Sequence, residues 1–404
     1  MILACQAILT DIPFVIPFER RVNLFRNYVK HDRKELNIEL TGWMAPVSNV
    51  TIRRSQVFED GYAQLDRLGP LLKNRIAISF VDKYGQMESG QDGGGLFKEF
   101  MTSCLKQAFD KNLGLFHVNE ENLLYPAPTS YASELEQLQL FKFLGRIIGK
   151  ALYEGILVDA AFASFFLSKW LGKRNYLYDL PSLDPEFYQS LMFLKNYAGD
   201  ISDLCLTMTV TTEIFGQTTN VDLIKNGSNI NVTAENRIQY IYLVANYKLN
   251  VQIARQCSAF FQGLVDLINP RWIKMFNEQE LQILIGGLQV PIDINNLKQF
   301  TTYGGVFDEH HPTIVMFWNV IETFDDSQRS KLIKFITSCS RPPLLGFGEL
   351  NPRLCIRFAG QDQTRLPTAS TCVNLLKLPA YLDEETLRDK LIYSINAEAG
   401  FDLT

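Results

Sequence analysis

Cysteine is the strongest ordinary nucleophile a chain can offer, and this one carries seven, at positions 5, 104, 205, 257, 339, 355 and 372. No Cys-x-x-Cys pair occurs among them, and no metal site is expected. Their odd number, with no secretory leader ahead of them, points to reduced thiols in the cytosol or nucleus. Cys104 and Cys257 fall in helical apolar patterns and Cys205 and Cys355 in strand-like runs, the setting of an inert, buried thiol. Cys372 differs. Pro367 and Pro379 flank it and disfavour helix just before each of them, so the thiol is expected on a turn between extended segments. A thiolate held there can attack an acyl group and carry it as a covalent intermediate, with a reactivity set by its pKa and exposure. Taken alone, a single cysteine is still more often core than catalyst.

A thiol protease or deubiquitinase would need a histidine beside that cysteine. The four histidines, at 31, 117, 310 and 311, all precede Cys372. The papain order is therefore excluded, and the reverse order would rest on His310 or His311 without a supporting local pattern. A non-catalytic scaffold would show repeats or a long solvated helix face, and the sequence has neither. Gly93–Gly95 lacks the Lys-Ser/Thr that a phosphate loop needs and reads as a backbone bend. Gly145 and Gly149, four apart, read as a close helix contact.

The elements around Cys372 follow from periodicity. Phe14, Phe18, Val22, Phe25 and Val29 predict an amphipathic helix over 12–36 that packs on a larger body. Residues 76–81 alternate as a strand and run into a turn at Asp82–Gly85. Leu96, Phe97, Phe100, Met101, Leu105 and Phe109 share one face of a helix, and Ser133 with Glu136 makes a capping-box pattern before a long apolar helix towards Gly155. Strand-like runs follow at 204–210 and 229–232, with helices expected at 185–197 and 234–249. A helix closes at 281–287. Later come helices at 313–323 and 326–338, strand-like runs at 354–358 and 373–378, and a last helix at 383–397. Asp383 can cap that helix, Glu384 and Glu385 suit its positive end, and Leu387, Leu391 and Ile395 form its apolar stripe.

Composition narrows the class. Hydrophobic residues make up 47% and charged residues 21%, with 28 Phe and 16 Tyr to fill a core. At 404 residues, two lobes are the natural expectation. The net charge of −5 is not the basic footprint of a nucleic-acid binder. The apolar opening at 1–9 is too short for a membrane span and lacks a basic leader, so a buried or amphipathic first helix is expected and no membrane partner.

Leu366, Pro367, Thr371, Cys372, Asn374, Leu378, Pro379 and Tyr381 together resemble the active-site signature of the HECT family of ubiquitin-protein ligases. Further segments agree in order: Ile52–Ser55, Asp92–Phe100, Phe141–Tyr153 and the glycine-rich turn Pro342–Gly348 are each similar to family segments. The likeness runs from about residue 50 to the end and is greatest to the group called E-three-C.

The resemblance implies an α+β, bilobal fold. A mainly helical N-terminal lobe would span 1–300, with a helical extension over about 1–50 and a subdomain that binds the conjugating enzyme over about 185–260. A smaller mixed α/β lobe over 301–404 would carry Cys372. It implies that Cys372 accepts ubiquitin as a thioester from a conjugating enzyme and passes it to a lysine of a protein substrate or of ubiquitin. Exchange of one thioester for another is close to isoenergetic, so no cofactor, nucleotide or metal is needed at this step. Thr371 and Asn374 would support the nucleophile, Phe401 the transfer to lysine, and Asp402 the incoming amine. Leu191, Leu194, Tyr197, Leu204, Leu206 and Tyr240 match the conjugating-enzyme groove, and the lobes are expected to swing about Tyr303, Gly304 and Gly305, where two glycines in a row permit motion. One departure stands out: Ser370 occupies a position where many family members have His, so no ring is available there to assist proton transfer.

Overall fold

The computed structural model describes residues 8–9, 11–38, 47–82, 84–88, 95–129, 131–214 and 217–397. Phe401, Asp402, Gly93 and most of the apolar opening lie outside the described residues.

The first long helix is α1 (Phe18–Glu35), which buries Arg21, Val22, Phe25 and Val29. Phe14 does not join that face; it sits in a short 3-10 turn and is exposed. β1 (Val47–Arg53) pairs in parallel with β2 (Arg75–Val81), and α2 (Val57–Leu65) lies between them in sequence. Ile76, Ile78 and Phe80 of β2 point into the core, the alternation that its period-two pattern requires. The strand stops where Asp82 Oδ1 accepts the N–H groups of Tyr84 and Gln86.

Next come α3 (Gly95–Ala108), a hairpin of β3 (Phe116–Val118) and β4 (Leu124–Pro126), α4 (Leu135–Glu154) and α5 (Ser164–Trp170). The expected capping box at the head of α4 is not made. Glu134 holds the N-cap position, while Ser133 Oγ donates to Thr129 O and accepts from Gln256 Nε2. A tertiary partner therefore displaced the local one. A smaller layer follows: α6 (Pro185–Asn196), the antiparallel pair β5 (Thr209–Ile214) and β6 (Gln217–Asp222), and α7 (Arg237–Asn246). The strand-like run at 204–210 is shortened, because residues 201–204 turn as a 3-10 helix that Cys205 ends at φ +49. The run at 229–232 contributes only a single bridge, Thr207 to Asn231. The chain then returns through α8 (Ala254–Val265), α9 (Pro270–Ile273) and α10 (Glu278–Gly286).

α4 and α8 form the centre of this lobe. They approach so closely that a Cβ added at Gly145 would stand 1.9 Å from Phe260 O, and one at Gly263 would stand 1.8 Å from Lys142 O. The glycines are there for that contact.

The remaining elements are α11 (Ile294–Gln299), β7 (Thr302–Gly304), α12 (Pro312–Glu322), α13 (Asp326–Thr337), β8 (Cys355–Phe358), β9 (Thr368–Ser370), β10 (Leu375–Leu378) and α14 (Glu384–Asn396). The sheet order is β7-β8-β10-β9, with only the β10–β9 pair antiparallel. Asp383 caps α14 by accepting the Thr386 N–H, and Leu387, Leu391 and Ile395 are buried. Two hydrophobic cores result, one drawn from Val22 to Ile285 and the other from Ile292 to Ile395. The fold is α+β and bilobal. The division falls before residue 300, because Leu297 packs in the second core and Asn296 Oδ1 accepts from Phe347 N–H. Among the described residues no helix is long and apolar enough to cross a membrane.

α1 is fastened to the first lobe by charge as well as by packing. Arg21 makes a two-pronged contact with Glu280 and also donates to Met275 O. Asp32 accepts from Lys73 and from the Tyr153 hydroxyl, and Glu154 joins Arg33 to the buried Lys150. Burial alone would raise the Glu154 and Glu280 carboxyls, but their cationic and hydrogen-bonding partners prevail and hold both below the ordinary glutamate value of 4.5. A carboxyl depressed in the folded state stabilises above its unfolded pKa, and that contribution is lost as pH falls through the lower folded value. Amide protection of α1, corrected for intrinsic exchange, should therefore hold from pH 7 to about 4.5 and fall below it, more than that of the middle of α4. Equal changes in the two helices would contradict this.

Candidate active site

Cys372 is placed by the chain that runs from β9 into β10. Thr371–Val373 form one 3-10 turn, and Asn374 reverses the chain at φ +51, ψ 44. That left-handed backbone suits asparagine better than most residues, whose Cβ clashes there. Asn374 is 1% exposed and uses every polar group it has. Its N–H closes the turn on Thr371 O at 3.4 Å, and its carbonyl accepts from Cys355 N–H at 2.9 Å. Its Nδ2 donates to Pro352 O at 2.6 Å, and its Oδ1 accepts from Lys98 Nζ at 2.7 Å. Asn374 is thus the clamp of the turn. The Cys372 side chain lies outside the described residues.

The surroundings brace the same segment. Ser370 pairs with Leu375 across the β9–β10 ladder, so this residue is engaged as a strand partner. Leu376 and Leu378 are fully buried below it. Tyr381, 1% exposed, donates its hydroxyl to Arg365 O at 2.5 Å and ties the exit of β10 to the approach of β9. Burial, with Asp362 nearby, pushes that phenol far up, so it stays a neutral donor.

The other thiols separate by environment. Burial pushes Cys257 up to about 12 and Cys339 up to about 11, and Cys104 higher still. None of these three offers a thiolate near neutral pH. Cys355 lies in β8 as its pattern required, whereas Cys205 is exposed at the end of a 3-10 turn and not in a strand. The histidines are engaged elsewhere. His311 Nδ1 caps α12 by accepting Thr313 N–H, and His310 is exposed beside Glu309.

Both lobes meet at this turn. α3 and α13 pack against residues 371–373. Thr102 Oγ1 lies 3.3 Å from Ser338 Oγ, and Asp159 accepts from Lys334 and from Ser340. A cleft of about 1150 Å³ opens beside the turn between α1, α4 and the second lobe, reaching Asn374. Among the described residues no group of three or more His, Cys, Asp or Glu could hold a metal ion.

Two sets of expected residues need correction. Tyr303 and Gly304 belong to β7 and pair with β8, and the Tyr303 hydroxyl accepts from Trp318 Nε1. A Cβ at Gly305 would stand 3.1 Å from Phe358 Cβ. These residues are part of the second lobe's sheet, so a swing there would break strand pairing. The segment without regular structure between the two cores is 287–293, where Gln289 and Val290 are exposed. On the smaller layer, Leu191 and Leu194 are 4% and 5% exposed and serve the core, leaving no surface for a partner. Tyr197, Leu204, Leu206 and Tyr240 are half-buried. Leu206 and Tyr240 line one pocket of about 500 Å³, while Tyr197 meets Phe193 with ring centroids 5.5 Å apart. Phe193, 64% exposed, escaped sequence reading because its neighbours Leu191 and Leu194 carried the regular apolar spacing.

Comparison with known proteins agrees with this geometry. The model of the family described as HECT-domain (ubiquitin-transferase) matches residues 102–404. A probable E3 ubiquitin protein ligase of Schizosaccharomyces pombe is 50% identical over 398 residues, 98% of this chain and 38% of that protein. The E3 ubiquitin-protein ligase UPL6 of Arabidopsis thaliana is 46% identical over 403 residues, 98% of this chain and 39% of its own. The ubiquitin-protein ligase E3B of Homo sapiens is 43% identical over 432 residues, 99% and 40% respectively. The chain spans about two fifths of the length of these relatives. Likeness to the E-three-C group is consistent with them. With three quarters of the chain inside the family model and 50% identity to a ligase across 98% of its length, the chain belongs to the HECT family of ubiquitin transferases.

Proposed function

We propose that this chain performs the acyl relay of a ubiquitin-protein ligase. Cys372 attacks the thioester that joins ubiquitin to a conjugating enzyme; the new C–S bond forms as the old one breaks, and the conjugating enzyme leaves as its thiolate. A lysine amine then attacks, a C–N bond replaces the C–S bond, and the Cys372 thiolate is released. The amide product is the more stable, so the second step drives the first. The observation that carries the reading is the clamped turn at 371–374, in which Asn374 fixes the backbone around Cys372 while three other thiols are buried and raised. Partners on this reading are ubiquitin, a conjugating enzyme and protein substrates, with no nucleic acid, membrane or cofactor. The setting would be the reducing cytosol or nucleus. Tyr197, Leu204, Leu206, Tyr240 and the exposed Phe193 would meet the conjugating enzyme, since aromatic and aliphatic anchors supply most of such an interface. Thr371 would support the nucleophile, Phe401 would serve transfer to lysine, and Asp402 would steer the amine.

The test is to incubate the chain with activating enzyme, conjugating enzyme, ATP and ubiquitin and run a non-reducing gel. A ubiquitin adduct that thiol reductant removes supports the relay. Cleavage of ubiquitin chains without activating enzyme would mean a protease, and neither result a scaffold.

Two lobes that share one cysteine must also move between donor and acceptor, and 287–293 is the segment able to turn. Gln289→Pro should slow adduct formation without lowering the melting temperature, because the residue is exposed and outside any helix or strand. Unchanged kinetics would place the pivot elsewhere.

A further inference from the structure

Lys98 lies on α3, in the first lobe, yet its ammonium is bonded to the buried side chain of Asn374 in the second, 276 residues away. Asn374 is 1% exposed while that bond is made. The other hand of the same amide is held by Pro352 O. One turn further along α3, Thr102 faces Ser338, so Lys98 and Thr102 present a single face of the helix to the second lobe. α3 also packs on the turn Thr371–Val373 itself. The contact exists only while that turn is seated on α3. Movement about 287–293 would remove the ammonium and leave the Asn374 carbonyl without its charged partner.

We infer that Lys98 is a positioning residue for the second step, holding the Cys372 turn against α3 while a lysine amine attacks the thioester. This rests on the relay proposed above. In the arrangement described, the turn packs on α13 of its own lobe and is seated on α3, in the large layer of the first lobe, and not on the α6–α7 layer where the conjugating enzyme would sit. The seated state is therefore the one in which ubiquitin, already loaded, is discharged. The bond changes are those of aminolysis. The acceptor amine gives up a proton to solvent, C–N forms, C–S breaks, and Cys372 leaves as thiolate; Lys98 exchanges no proton and forms no covalent bond. Its work is to supply one charge-assisted hydrogen bond, stronger than a neutral one, to the residue that shapes the turn.

The experiment separates the two steps with the full chain. Lys98→Met keeps the side-chain stem and removes the charge, and Lys98→Arg restores a cation. Adduct formation is followed with labelled ubiquitin and conjugating enzyme, and discharge is followed by chasing the purified adduct with free lysine. Lys98→Met should charge at the wild-type rate and discharge about tenfold more slowly, the scale of losing one hydrogen bond to a charged group. Lys98→Arg should recover most of the loss, and melting temperatures should match. Unchanged discharge would overturn the proposal, as would an equal fall in both steps together with lower melting temperature. Failure of the wild-type chain to charge would instead remove the relay reading itself, so the two failures are told apart.

Discussion

Cys372→Ala should remove the thiol-sensitive ubiquitin adduct altogether, with ubiquitin transfer falling by at least about a thousandfold, the scale on which loss of a covalent nucleophile acts. Three of the other thiols cannot replace it. Cys104, Cys257 and Cys339 are buried with thiols pushed up, and the histidines are engaged in capping or at the surface. Cys104→Ala and Cys339→Ala should therefore charge as wild type does. Cys372→Ser should form at most a slow oxyester, which resists thiol reductant and yields to base. The fold should be untouched by either change at 372, so equal melting temperatures are part of the expectation. Residual charging of Cys372→Ala at the wild-type rate would move the nucleophile elsewhere.

Gly263→Ala should be the most damaging small substitution in the first lobe. Its new methyl would meet Lys142 O at 1.8 Å and Arg146 N at 3.0 Å, and both are backbone atoms of α4 that cannot rotate away. Gly145→Ala is the reciprocal case, against Phe260 O at 1.9 Å. Relief requires the two central helices to separate, opening the core they share. Overpacking against backbone lies at the top of the usual range, about 3 kcal/mol, a fall in melting temperature on the order of 5–10 °C for a lobe of this size. Gly149→Ala provides the scale: its Cβ would meet Leu264 O and Leu267 Cβ at 3.2 Å, a contact that small shifts relieve. Thermal melts of the three variants should rank Gly149→Ala well above the other two. Equal, small shifts would mean that α4 and α8 do not pack as described.

Local pattern carried much of this molecule. β2 alternates as its residues require, α14 begins at its Asp383 cap, and the prolines at 367 and 379 do bound a turn. What escaped was set by distant partners. Ser133 looked like a helix cap because Glu136 follows at the right distance, but Gln256 claims its hydroxyl. Gly304 and Gly305 looked like a joint because glycine permits motion, but β8 pairs the first and Phe358 crowds the second. Leu191 and Leu194 have a spacing that fits a groove and a core equally, and burial chose the core. Lys98 gave no signal at all, since nothing local to α3 marks a bond to a residue 276 positions on. The cysteine turn was legible because its chemistry is written in contiguous residues; its clamp was not, because half of it comes from the other lobe.

Peptide mapping of the charged protein locates the ubiquitin thioester on the chain. After loading with ubiquitin, alkylation of free thiols and trypsin digestion without reductant, the peptide of residues 366–377 should carry the Gly-Gly remnant of ubiquitin on sulfur. The alkylating group should sit on the remaining accessible cysteines. A charged sample in which Cys372 is alkylated and the remnant lies on Cys205, Cys355 or any lysine alone would contradict the account.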